Sequence, residues 1–168
     1  MPTFRVTHEI NCNIETFWKL FFDKTFNETL YRQGLGFPEF NVVDQKETDT
    51  EITRKCAGRP KLNMPGPVMK LLGDGFRYSE EGKFDKATKV WRWKMTPSAM
   101  ADKLRQEGTL KVEAIGDNKV RRTAELINEA KVFGVGGLIE SSAEKSLREG
   151  WDQSAVFMNK WIADGKAG

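Results

Sequence analysis

The sequence predicts an α+β fold in which a curved, seven-stranded antiparallel sheet wraps around one long C-terminal helix. Three observations predict it. Residues 3–10 alternate apolar and polar side chains, as a half-buried strand does. Residues 39–131 continue this alternation in runs separated by turn residues, a pattern typical of β-hairpins. Residues 136–164 instead place apolar side chains at helical spacing along one face.

The N-terminal segment predicts one strand followed by two short helices. In "TFRVTHEI" (residues 3–10), Phe4, Val6, His8 and Ile10 share one face of the strand. Asn13 is a suitable N-cap for the helix in "NIETFWKLFFD" (residues 13–23). The stretch "TFNETLYRQGLG" (residues 25–36) predicts the second helix, which ends at one of its two glycines, position 34 or 36.

The middle of the chain predicts six strands in three hairpins. The first hairpin joins residues 39–48 to 50–59, and the second joins residues 76–86 to 89–97. The third, residues 107–133, turns at Gly116, Asp117 and Asn118, a strong hairpin signal. Only "KLNMPGPVMKLLGDG" (residues 61–75) interrupts the pattern, and it predicts a loop that carries a short helix from Val68 to Leu72.

Length, composition and charge restrict the class of protein. The 168 residues suit a single domain, 1–168, with a substantial core. Because 27 basic and 24 acidic residues are interspersed, nucleic-acid binding is not expected. The two cysteines lack disulfide or metal spacing, so we expect no metal site. The N-terminus resembles no targeting signal, and we expect a cytoplasmic protein that acts as a monomer.

Three glycines, Gly134, Gly136 and Gly137, stand just before the long helix and invite comparison with a phosphate-binding loop. The dinucleotide fingerprint requires a glycine at position 139, where the chain has Ile139, and no Gly-Lys-Ser/Thr ending follows. We therefore expect no nucleotide or other cofactor. Gly134 is predicted to allow a turn with positive φ, and Gly136 and Gly137 to let the helix start close against backbone, with Gly136 on the cavity side of the helix.

The order of elements resembles that of the START-like superfamily (SRPBCC; also called the Bet v 1-like or helix-grip fold) over almost the whole chain. More narrowly, "VWRWKM" (residues 90–95), "KLNMPGPVMKLLGDG" and "VFGVGGLIESSAEKSL" (residues 132–147) are similar to the DUF2505 branch. The resemblance implies a hydrophobic pocket between sheet and helix. It also implies three classes of function, namely small-molecule binding, catalysis of the polyketide-cyclase, aromatase or hydratase type, and co-chaperone-like interaction.

The inward face of the long helix carries small residues at its middle, where a core-filling helix would normally place Leu or Ile. Either the helix and the sheet leave a cavity there, or the sheet approaches closely at Gly150 and strand residues fill the gap; the resemblance favours the cavity. The residues expected to line it are His8, Tyr78, Trp91, Trp93, Met95, Ile139, Ala143, Leu147, Gly150, Trp151, Ser154, Phe157 and Met158.

No set of catalytic residues is predicted, because His8 is the single histidine of the chain. His8 is expected to be a core residue with a satisfied hydrogen bond, or else to orient a polar group of a ligand. Glu80 is expected to turn to solvent at a bulge near Gly82; facing inward, it would have a raised pKa and act as a general acid or ligand anchor. "KVRRT" (residues 119–123) is expected to be a solvated edge, with attraction to membranes as the alternative.

The loop of residues 61–72 is predicted to expose apolar side chains beside the cavity, and either acts as a lid that touches membranes or packs over the end of the barrel. The lid residues are Met64, Val68, Met69 and Leu72. The predicted function is the binding, and with it the transport, of a hydrophobic small molecule or lipid, with transient membrane contact. The alternative is an enzyme of the polyketide cyclase/aromatase or hydratase type that uses the same cavity.

Overall fold

The computed structural model describes residues 3–167, and the predicted order of elements is confirmed. The strands are β1 (Thr3–Ile10), β2 (Glu39–Glu47), β3 (Glu51–Arg59), β4 (Tyr78–Asp85), β5 (Val90–Pro97), β6 (Leu104–Gly116) and β7 (Lys119–Ala130). The helices are α1 (Ile14–Phe21), α2 (Lys24–Thr29), α3 (Gly66–Leu72) and α4 (Gly136–Ala163).

All seven strands form one antiparallel sheet in the order β1-β7-β6-β5-β4-β3-β2. The three predicted hairpins supply the pairs β2/β3, β4/β5 and β6/β7. The long-range pair is β1/β7, in which Thr3 lies opposite Ile127 and Ile10 opposite Val120. The N-terminal strand therefore closes the sheet beside the strand that leads into α4, and the sheet curves around this helix as predicted.

The two short helices follow β1 as predicted, but the second continues in a different geometry. The Asn13 and Asp23 side chains accept the backbone N–H groups of Thr16 and Phe26, which caps α1 and α2. After Thr29 the chain forms a π-helical turn, Leu30–Gly34, where the predicted helix simply ended at a glycine. A Cβ at Gly34 would lie 2.9 Å from the Phe157 ring, so the glycine allows this turn to pack closely on α4.

Polar side chains attach α4 to the sheet at both ends. Near its start, Glu140 accepts the Ala130 backbone N–H at 2.9 Å. Near its end, Asn159 accepts the Asn11 backbone N–H at 2.8 Å and donates to the Glu9 carbonyl at 3.1 Å. The helix is thus held across β7 and β1. Within residues 3–167, no helix combines the length and the apolar character that a membrane span requires.

Of the three glycines before α4, Gly134 and Gly136 have the predicted steric role, whereas the prediction is wrong for Gly137, where a Cβ would meet no atom within 4 Å. Gly134 has a φ of +82°, a conformation that side-chain-bearing residues rarely adopt. A Cβ at Gly136 would lie 2.5 Å from the Ala130 carbonyl oxygen, so glycine lets the helix begin against the β7 backbone. Gly136 is not among the residues that line the cavity described below, because its open side is occupied by this strand.

Candidate functional site

A cavity of about 480 Å³ lies between the inner face of the sheet and α4. Trp91, Trp93 and Met95 of β5 form one wall. The opposite wall is the face of α4 that carries Gly150 and Trp151. The cavity is bounded at one end by the segment between β3 and β4, and exposed polar residues of this segment, of β6 and of α4 mark where it reaches solvent.

Glycines keep this space free on both walls. A Cβ at Gly150 would meet no atom within 4 Å, so the absence of a side chain there leaves volume unfilled. On the sheet, a Cβ at Gly82 would lie 2.0 Å from the Trp91 ring, and a Cβ at Gly108 would lie 3.0 Å from the Trp93 ring. The two indole rings therefore occupy the space that side chains at positions 82 and 108 would fill.

Most of the predicted lining residues face this cavity. They are Tyr78, Trp91, Trp93, Met95, Ile139, Ala143, Leu147, Gly150, Trp151, Ser154 and Met158. His8 and Phe157 do not line it. That these side chains contact a ligand stays a prediction.

His8 lies beside the cavity and connects two charged residues. Its Nδ1 is 3.1 Å from Arg122 Nη2, and its Nε2 is 2.6 Å from the Asp152 carboxylate. A guanidinium can only donate, so Nδ1 is the acceptor and Nε2 carries the proton that is donated to Asp152. The prediction that His8 lines the cavity is corrected: β1 is an edge strand whose inner face packs on α4, which leaves His8 to hydrogen-bond across that contact.

Phe157 faces the α2 side of α4 instead of the cavity. Its ring packs 6.0 Å from Phe26 and 5.9 Å from Trp161, measured between centroids, and it covers Gly34. The predicted apolar face of α4 is wider than the cavity, because the π-helical turn and α2 cover part of it. Phe157 therefore belongs to the packed core.

Several polar residues line the cavity without having been among the predicted lining residues. The four that matter for its chemistry are Tyr31, Arg54, Glu80 and Arg122. Glu80 faces inward, against the preferred expectation of a bulge, because β4 pairs with β3 and β5 without any shift in register. Likewise, Arg122 is buried inside the segment "KVRRT", which was expected to be a solvated edge. The alternation of the strand could have predicted this burial, because Arg122 shares its face with Val120, Ala124 and Leu126.

Arg54 and Glu80 face the cavity from the neighbouring strands β3 and β4. The Arg54 guanidinium donates to the Phe21 carbonyl and lies 4.5 Å from the Phe21 ring centroid and 4.9 Å from that of Trp91. Burial raises the pKa of Glu80, and the positive charge of Arg54 opposes this only in part. The cavity thus holds a carboxyl group with an increased tendency to keep its proton.

Two phenols border the same polar region. Burial raises the pKa of both Tyr31 and Tyr78, with the nearby Glu80 acting in the same direction. The Tyr31 ring is stacked on Phe40 at 3.9 Å between centroids, which holds it in place. Both hydroxyls therefore stay protonated and are available to donate a hydrogen bond.

The segment between β3 and β4 covers one end of the cavity. Met64 and Leu72 line it, whereas Val68 and Met69 do not. Val68 is fully buried, in a cluster with Leu72, Ala130 and Ile139. The expected exposure of this segment is therefore wrong for Val68 and Leu72, because α3 turns these side chains inward onto β7 and α4. A role as a lid stays a prediction.

The two cysteines of the chain are buried. Burial raises the pKa of Cys12 to about 11 and that of Cys56 to about 12, so both stay thiols at neutral pH. Among residues 3–167, no group of three or more His, Cys, Asp or Glu side chains is placed to hold a metal ion. A wider groove of about 1170 Å³ crosses the outer face of the sheet, but it is open to solvent and lined by charges of both signs.

Comparison with known proteins relates this geometry to a family and a fold. A family described as a protein of unknown function (DUF2505) matches residues 5–162. No curated protein sequence matches the chain significantly.

Among solved structures, a protein from Thermus thermophilus is similar over 98% of this chain and 99% of its own, with 18% identity and a TM-score of 0.70. An aromatase/cyclase from a Streptomyces species is similar over 98% of this chain and 92% of its own (10% identity, TM-score 0.60). A START superfamily protein from Mycobacterium smegmatis is similar over 96% and 97%, respectively (13% identity, TM-score 0.58). These likenesses show the START-like helix-grip fold, and the family match shows that the chain belongs to the DUF2505 family.

Proposed function

We propose that this protein binds a hydrophobic small molecule or lipid in the cavity between the sheet and α4. The observation that carries the proposal is the cavity itself, about 480 Å³ in size, with a wall of tryptophan and methionine side chains. Pockets for small ligands span about 300–1,000 Å³ and are lined mainly by apolar and aromatic groups. Methionine at position 95 suits a ligand of irregular shape, because its side chain adapts.

The proposal is tested by asking what the protein carries when it is purified. Native mass spectrometry of the intact protein, followed by organic extraction, is expected to reveal a bound apolar compound. The variant Gly150→Leu should lose this compound, because the new side chain enters the open space beside Gly150. Replacing a helical glycine also favours the helix by up to about 1 kcal/mol, so the variant should fold.

Gly137→Leu is the matched control. It is the same substitution in the same helix, with no atom within 4 Å of the added Cβ, but Gly137 is exposed and outside the cavity. It should retain the ligand. If the wild type carries no apolar compound and binds none that is offered, or if Gly150→Leu retains as much as the control, the cavity is not a binding site.

The segment around α3 acts, in this proposal, as a lid that lets the ligand exchange with membranes. Leu71 is 40% exposed beside Lys70, whereas Val68 and Leu72 hold the segment onto the core. Leu71→Asp should therefore slow ligand transfer from vesicles without unfolding the protein. Ile115→Asp is the control, since Ile115 is similarly exposed (37%) but lies at the hairpin end of β6. Equal transfer rates in the two variants would contradict membrane contact.

Catalysis in the same cavity is the second candidate, and the inward-facing Glu80 favours it. A carboxyl group with a raised pKa, next to the Tyr78 phenol on the same strand, is suited to proton transfer in a cyclase, aromatase or hydratase type of reaction. The similarity to an aromatase/cyclase supports this class of reaction. In such an enzyme Glu80→Gln would still bind the extracted compound but would no longer convert it, as followed by both its mass and its chromatographic retention, since ring closure alone conserves mass. If the wild type changes neither quantity, catalysis is contradicted and the binding proposal stands alone.

A further inference from the structure

Arg122 is a buried cation that lines the cavity with part of its guanidinium unused. The residue is 5% exposed. Its Nη2 donates to His8 Nδ1 at 3.1 Å and to the Trp151 carbonyl at 3.0 Å. Its Nε is buried and has no hydrogen-bond partner among residues 3–167. The residue as a whole lines the cavity, so its guanidinium has donor capacity there that the protein does not use.

The charge of Arg122 is also poorly balanced. Asp152 reaches it only through His8 and is itself 70% exposed, which weakens its effect. The charge of Arg54 acts on Glu80, whose raised pKa limits the negative charge that it offers to either guanidinium. Burial accordingly lowers the pKa of Arg122 to about 10, with the distant Asp152 carboxylate opposing this only in part. Isolated buried charges are costly, so this arrangement favours an anion that arrives with the ligand.

We infer that the ligand is a carboxylate-bearing amphiphile of the fatty-acid type, whose carboxylate binds Arg122 while its apolar tail lies along Trp91, Trp93 and Met95. This inference rests on the proposed function and specifies its ligand class. The planar edge of a guanidinium matches a carboxylate. A phosphate monoester carries up to two negative charges, and burying the second charge in a mainly apolar cavity costs more than burying a carboxylate.

His8 and Trp151 fix the orientation of Arg122. The contacts from His8 and the Trp151 carbonyl both engage Nη2, and the Trp151 ring lies 4.9 Å from the guanidinium carbon. The guanidinium is therefore held before any ligand arrives, which reduces the entropy lost on binding. His8 is a positioning residue in this arrangement, since it contacts Arg122 and does not line the cavity.

The test compares ligands that share a tail and differ in their headgroup. Laurate, dodecanol, dodecyl phosphate and dodecylamine are titrated into the delipidated protein and followed by tryptophan fluorescence and calorimetry. The wild type should bind laurate more tightly than the other three. Arg122→Met should weaken laurate binding roughly 10- to 100-fold, the range for losing a hydrogen bond to a charged group, and leave dodecanol binding unchanged.

Two variants control for structural effects. Arg122→Lys keeps the charge and should keep a preference for laurate over dodecanol. Arg121→Met removes the neighbouring arginine, which faces outward and pairs with Glu113 at 2.9 Å, and should bind laurate like the wild type. Thermal melting checks that all variants fold. Arg122→Met should be at least as stable as the wild type, because an apolar side chain then replaces an unbalanced buried charge.

The outcomes separate this inference from the proposed function. If wild type and Arg122→Met bind laurate and dodecanol with the same ratio of affinities, the carboxylate is not recognised by Arg122, although the cavity still binds apolar ligands. Tighter binding of dodecyl phosphate than of laurate would overturn the carboxylate assignment. If the wild type binds none of the four probes and carries no extractable compound, both the proposed function and this inference are rejected.

Discussion

Gly82→Ala should destabilise the protein, because the added methyl group would collide with Trp91 in the wall of the cavity. The added methyl group would lie 2.0 Å from Cζ2 of Trp91, where non-bonded carbon atoms are normally at least 3.5 Å apart. Trp91 is 2% exposed and packs against the Arg54 guanidinium, so its ring has no free space on that side. Either Trp91 moves towards the cavity or the β4/β5 pairing distorts.

The magnitude follows from two opposing terms. Overpacking a buried site costs about 1–3 kcal/mol, and a displacement of more than 1 Å for a large rigid ring places this case near the upper limit. Alanine instead of glycine in a strand returns about 0.5–1 kcal/mol of backbone entropy. The net loss is about 2 kcal/mol. For a chain of this length, about 2–4 °C is lost per kcal/mol, so the Tm should fall by about 4–8 °C.

Differential scanning calorimetry of Gly82→Ala measures this change, with Gly116→Ala as the control. Gly116 ends β6, and a Cβ there would make only an ordinary contact of 3.8 Å, so its Tm should change little. The double variant Gly82→Ala with Trp91→Leu should be less destabilised than the sum of the two single variants, since the smaller side chain relieves the clash. The steric argument is wrong if Gly82→Ala has the same Tm as Gly116→Ala. It is also wrong if the destabilisations caused by Gly82→Ala and Trp91→Leu simply add in the double variant.

Three further predictions concern other parts of the molecule. The pKa of Glu80 is raised in the folded state. As the pH rises above the ordinary value of 4.5, the unfolded chain therefore loses this proton while the folded chain still keeps it, and the free energy of unfolding decreases with rising pH. Glu80→Gln should therefore melt at a higher temperature than the wild type at pH 7, with the difference disappearing in acid; a lower Tm at pH 7 would contradict it. Cys12 and Cys56 should react with a disulfide reagent at pH 8 only after unfolding, because their raised pKa values suppress the thiolate; rapid labelling of the native protein would show otherwise. Gly136→Ala should destabilise the protein by about 1–3 kcal/mol through its clash with the Ala130 carbonyl, and should leave the response to added ATP in a melting experiment unchanged; an ATP-dependent rise in Tm that the variant loses would restore the phosphate-loop interpretation.

Local pattern was sufficient for the elements and their order. Alternation of apolar and polar residues has the period of a strand, and each hairpin joins neighbours along the chain, so its turn residues and its pairing are close in sequence. The helix caps are equally local, as the contact between Asn13 and Thr16 illustrates. The wide apolar face of α4 was likewise identified correctly, although part of it, including Phe157, packs on α2.

The polar side of the cavity was predicted less well, because expected irregularities were given more weight than alternation. Glu80 and Arg122 each occupy an inward position of an uninterrupted strand, yet a bulge near Gly82 was preferred for Glu80, and residues 119–123 were assigned to a solvated edge. Burial of a charge is unfavourable in isolation, and only the neighbouring strands and α4 show what surrounds it. His8 illustrates the same limit, since its partners Arg122 and Asp152 lie more than a hundred residues away in the sequence.

The sequence by itself determined the α+β class, the seven strands, the long helix and the small residues on its inner face, since these depend on periodicity and on contacts within one element or one hairpin. Only the tertiary structure decided which side chains meet across the cavity. The pairing of β1 with β7 and the packing of α4 on both bring His8, Arg122, Trp151 and Asp152 together. The role of a glycine also depends on atoms from other elements: Gly150 leaves open space, whereas the space beside Gly82 is filled by the Trp91 ring. Such contacts have no local signature, because the distance between two side chains in space is not encoded in their separation along the chain.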